Sequence, residues 1–108
     1  MDEKNILEID KHAKEYTFRY FGVVSIGVPC SELQKIQAFT SHIRQRTTYS
    51  VHFEELYGQN SLYYDSKKSE FTHVSGIFNN TSKGCILKFK INDLQRMRIC
   101  NALSEILY

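Results

Sequence analysis

From Tyr16 to Val28 the chain keeps a period of two that only a pleated backbone can use. Tyr16, Phe18, Tyr20, Gly22, Val24, Ile26 and Val28 fall on one side of an extended strand, and Thr17, Arg19, Ser25 and Gly27 on the other. Phe21 and Val23 are the apolar exceptions on the second side. The run is longer than an ordinary strand. Gly22 and Gly27 are the places where it can bend or bulge, as a strand curling between two sheets must. Pro29, the chain's only proline, ends it because proline has no N–H to donate.

A helix follows. Ser31-Glu32-Leu33-Gln34 has the form of a capping box, and Leu33, Ile36, Phe39 and Ile43 then recur at helical spacing. The spacing predicts a helix from Glu32 to Gln45 with one stripe packed on a sheet. Four short strands are expected next. Tyr49, Val51 and Phe53 alternate with polar residues, Gly58-Gln59-Asn60 reads as a turn, and Leu62 to Asp65 as a second strand. Ser66-Lys67-Lys68 turns the chain into a strand from Phe71 to Phe78, and Asn79 to Gly84 is a loop of turn formers. Cys85, Leu87, Phe89 and Ile91 alternate with Ile86, Lys88 and Lys90, as a half-buried antiparallel strand does.

Asn92 with Gln95 forms a second capping box, and Asp93 suits the positive start of a helix. Met97, Ile99, Cys100, Leu103, Ile106 and Leu107 cover its apolar arc. The first fifteen residues read as a short helix or a loose arm. The expected fold is therefore a single α+β domain over residues 1–108, in the order β-α-β-β-β-β-α. A curved, mainly antiparallel sheet carries the C-terminal helix packed on it.

Composition narrows the function more by exclusion than by signature. A formal net charge of +2 neither favours nucleic acid nor resembles an acidic mimic of it. Cys30, Cys85 and Cys100 lack metal or redox spacing and lie in apolar patterns, so they read as buried reduced thiols. The charged N-terminus leads into no long apolar run, so neither a signal peptide nor a membrane span is expected. That points to an intracellular protein, cytoplasmic or nuclear, in which the sequons at Asn79 and Asn80 have no role.

No glycine-rich phosphate cradle occurs. His12, His42, His52 and His73 are not spaced with the cysteines as metal ligands, and Glu54-Glu55 points to opposite faces of a strand. The reading is non-enzymatic, with no cofactor. Tyr63-Tyr64 on a short strand must send one ring outward, where tyrosine packs over a hydrophobic rim or anchors a partner. Lys88 and Lys90 share one strand face, which reads as a solvated face, with a small basic patch as the alternative.

Phe18-Arg19-Tyr20-Phe21-Gly22-Val23-Val24-Ser25 resembles the opening strand of phosphotyrosine-binding (PTB) domains, which have a PH-like fold. The succeeding helix, the strand at Tyr49 to Phe53 and the terminal helix with Ile99-Cys100-Asn101-Ala102-Leu103 are similar to that family's elements. The resemblance implies an adaptor or regulatory module in which an extended peptide adds to the strand Phe71 to Phe78 and lies against the last helix. His73, Ser75 and Ile77 would line that groove from the strand, and Met97 and Ser104 from the helix. The alternatives are a small regulatory subunit of a larger complex and an RNA-binding domain. For the latter, Arg19 to Ile26 partly matches the aromatic RNP1 pattern.

Overall fold

The computed structural model describes residues 6–55, 58–77 and 84–107. Among them the order is β1 (Leu7–His12), β2 (Glu15–Tyr20), β3 (Val24–Pro29), α1 (Leu33–Arg44), β4 (Tyr49–Glu55), β5 (Gly58–Asp65), β6 (Glu70–Ile77), β7 (Cys85–Lys90) and α2 (Asp93–Leu107). The α+β class holds, and every strand pair is antiparallel. The strands form two sheets rather than one, β1-β2-β3 and β4-β5-β6-β7.

The extra strands come from the N-terminal third. The apparent long strand is a hairpin: Phe21 and Gly22 have φ of +55° and +74°, and Val23 N–H donates to the Tyr20 carbonyl at 3.1 Å. Tyr20 then pairs with Val24. Antiparallel partners share a face, so the period of two runs through the turn unbroken and hides it. Within the stretch expected as a helix or arm, Leu7–His12 form β1 instead, with Leu7 opposite Tyr20 and Ile9 opposite Phe18. Leu7 and Ile9 alternate as a strand requires.

Two smaller expectations also change. Ser31 does not cap α1: a single 3-10 turn over Cys30–Glu32 precedes the helix, and neither start carries a side-chain cap. The Asn92–Gln95 box on α2 does form, with reciprocal bonds of 2.9 and 2.8 Å. Gly58, Gln59 and Asn60 are strand, pairing with Ile77, Gly76 and Ser75. Phe78 and the loop through Lys83, sequons included, lie outside the described residues, as does the chain before Ile6.

One core joins both sheets and both helices. Phe18, Tyr20, Val24 and Ile26 of the first sheet, Val51, Phe53, Leu62 and Phe71 of the second, and Ile36, Phe39, Ile99 and Leu103 of the helices belong to it. Phe71 is its hub, with ring centroids 4.8 Å from Tyr20, 5.4 Å from Phe21 and 6.0 Å from Phe39. Burying a large apolar side chain contributes about 1.5–3 kcal/mol, so this contiguous set is the main source of stability. The inward face of the four-stranded sheet is thereby used, and its other face is left outward.

Candidate functional site

Among the described side chains of the expected peptide groove, no hydrogen bond, ion pair or ring contact joins His73 or Ser75 to Met97 or Ser104. β6 lies between β5 and β7 and is hydrogen-bonded on both sides, so it has no free edge for a peptide. His73 points into the core, 6% exposed, with Nε2 2.7 Å from Asn60 Oδ1. Ser75 Oγ reaches the Cys85 carbonyl across the β6–β7 pair. Ile77 ends β6 opposite Gly58, and its side chain lies outside the described residues. Ser104 faces α1, donating to the Cys100 carbonyl at 2.8 Å and accepting from Arg44. Met97 is 51% exposed on α2. A sequence cannot show which strand ends up interior, because strand order is set by non-local pairing.

Alternation places a second set of side chains on the outward face of β4–β7. The register aligns Ser50, Tyr63, Thr72 and Lys88 in one row, and His52, Ser61, Val74 and Ile86 in the next. Tyr63 is 43% and Ile86 62% exposed, while Tyr64 is buried, as the adjacent tyrosines required. Ile86 is directly opposite Val74, and Tyr63 lies one step along the diagonal, within side-chain reach. These residues line a cleft of about 620 Å³ whose rim carries the hydroxyls of Thr48, Ser50 and Thr72.

The charges of this face are mostly engaged. Lys90 Nζ lies 3.7 Å from Glu70 and donates to the Lys68 carbonyl at 3.0 Å. Asp65 accepts from the Lys67 and Lys68 amides at 2.9 and 3.2 Å. His52 bonds the Ser61 hydroxyl at 2.9 Å. Lys88 enters no ion pair among the described residues.

The sheet's two ends differ. At β4, Lys35 of α1 donates to the His52 carbonyl at 3.0 Å and so covers that edge. At the other end, among the described residues, β7 has β6 as its single strand neighbour. Its inward side chains Leu87 and Phe89 stay half-buried for want of a further strand.

Other chemistry is sparse in this geometry. Cys30 and Cys85 are exposed, against expectation, because one sits in the 3-10 turn and the other opens an edge strand; Cys100 is buried. Burial pushes the Cys100 thiol up, with Arg44 and Arg96 partly opposing, so it is held as the unreactive thiol. Among the described residues no three His, Cys, Asp or Glu side chains converge as metal ligands. No described helix is long and apolar enough to cross a membrane. Tyr20 and Phe21 are buried, so the RNP1-like stretch offers no ring for a base to stack on. No family model matches the chain, and no curated protein or solved structure is significantly similar to it.

Proposed function

We propose that this chain is a non-enzymatic protein-interaction module, an adaptor or regulatory domain that receives a partner on the outward face of its four-stranded sheet. The observation that carries the reading is the cleft in which exposed Tyr63 and Ile86 flank Val74 among hydroxyl groups. An apolar centre with a polar rim is how protein-binding surfaces are built, and an exposed tyrosine is a favoured anchor. Two exposed, unpaired thiols suit a reducing, intracellular compartment.

The test is capture by the immobilised full chain from cell lysate, with and without nuclease, read by mass spectrometry. Proteins that survive nuclease, are released by Ile86→Asp and are retained by Met97→Asp support the reading. A catch that disappears with nuclease assigns the chain to nucleic acid instead. Capture indifferent to Ile86→Asp removes this face from consideration.

A further inference from the structure

The edge of β7 is continuous with the cleft, and the direction of its backbone groups can be worked out. Ile91 N–H donates to the Ser69 carbonyl at 2.9 Å, one step beyond the Glu70–Lys90 pair. Hydrogen-bonded and non-bonded pairs alternate in an antiparallel ladder. Phe89, Leu87 and Cys85 therefore bond toward β6, while the N–H and C=O groups of Ile86, Lys88 and Lys90 face the other edge, which is free of strand partners among the described residues. The residues that offer backbone to that edge are the same ones that send side chains to the outward face. Lys90 is held by Glu70 and the Lys68 carbonyl, which leaves Ile86 and Lys88.

We propose that the partner arrives as an extended acidic segment that pairs antiparallel with the free edge of β7, a carboxylate opposite Lys88 and an apolar side chain opposite Ile86. This rests on the interaction-module reading above and specifies the partner's chemistry. Directly opposed residues share a face, so the bound segment carries its acid two positions before its apolar residue. The residue between them turns inward and covers the half-buried flank of Leu87. Charge selects the occupant. β7 holds two lysines and no acid, so pairing with a second copy would set lysines of both chains on one face with no counter-charge from either strand. An acidic strand supplies the charge that Lys88 lacks among the described residues.

The probe is a random-peptide phage library selected on the immobilised full chain, with the most enriched peptide then synthesised. Enriched sequences are expected to share an acid two residues before an apolar residue. Their binding should slow amide exchange at Ile86 and Lys88. Lys88→Glu should weaken binding about tenfold, and the peptide with lysine in place of its acid should recover affinity for that variant. Ile86→Pro removes an edge N–H without touching the β6 ladder and should abolish binding. If its thermal melt shows misfolding, the charge exchange at Lys88 decides alone. No enrichment, enrichment without an acid, protection elsewhere, or self-association through β7 in sedimentation overturns the proposal. If that happens while lysate capture still depends on Ile86, the module reading stands and only the edge-strand inference falls.

Discussion

Phe21 stacks on Phe89 with ring centroids 4.3 Å apart and planes 14° from parallel, and it does so from a backbone at φ +55°. A bulky residue rarely accepts that conformation, which costs about 1–3 kcal/mol. The turn that closes the β2–β3 hairpin is thus tied to β7 of the other sheet, directly beneath the proposed binding edge. Phe21→Ala should destabilise the chain by about 3 kcal/mol, since alanine keeps the Cβ and so relieves none of the backbone strain. Hydrogen exchange should speed up selectively along β7. A uniform increase across both sheets would show that the stacking does not anchor that edge.

Arg96 is buried on α2, and its Nη1 donates to the Ile43 and Arg44 carbonyls at 3.2 Å each, closing the C-terminal end of α1. Its Nε lies 3.3 Å from Asp93, which also pairs with Arg46. Cationic groups at a helix C-terminus are stabilising, and here one planar guanidinium serves two carbonyls. Arg96→Ala should cost about 1–3 kcal/mol in urea unfolding. Arg96→Lys should recover only part, since an ammonium lacks the planar fork.

His73 is buried against Asn60, and burial lowers its pKa below the ordinary value. The unfolded chain takes up that proton near pH ~6.5, whereas the folded chain resists it until lower pH. Stability from this residue is therefore full above that value and falls as the pH drops toward the folded pKa. Urea midpoints measured from about pH 7.5 down to about 5.5 should fall more steeply for the natural chain than for His73→Gln. Equal slopes would mean that His73 reaches solvent.

Tyr20 is fully buried, and its hydroxyl has no hydrogen-bond partner among the described residues. Burial alone drives its pKa far upward. An unpaired buried hydroxyl is destabilising, so Tyr20→Phe should leave the urea midpoint unchanged or raise stability by about 1 kcal/mol. A loss of similar size would reveal a partner for the hydroxyl.

The helices were legible because their signals are local. The Asn92–Gln95 box forms as spelled, and Ile36, Phe39 and Ile43 are buried at the expected spacing. The alternation on β7 was legible too, with Leu87 and Phe89 in and Lys88 out, whereas at Tyr63-Tyr64 the sequence required one ring out without saying which. Leu7 and Ile9 carried a strand signal of only two apolar positions, too short to separate from an arm. The groove residues His73, Ser75, Ile77, Met97 and Ser104 could not be tested against one another by spacing, because their proximity depends on which strands are neighbours.

By itself the sequence determined the two helices, the strands from β4 to β7 and the alternation of faces along them, since propensity, capping and period act over a few residues. Only the tertiary structure decided that one apparent strand is a hairpin, that β6 lies inside its sheet and that β7 lies at its edge. Those outcomes depend on contacts between residues far apart in the chain, and a period of two reads the same on an interior strand as on an edge.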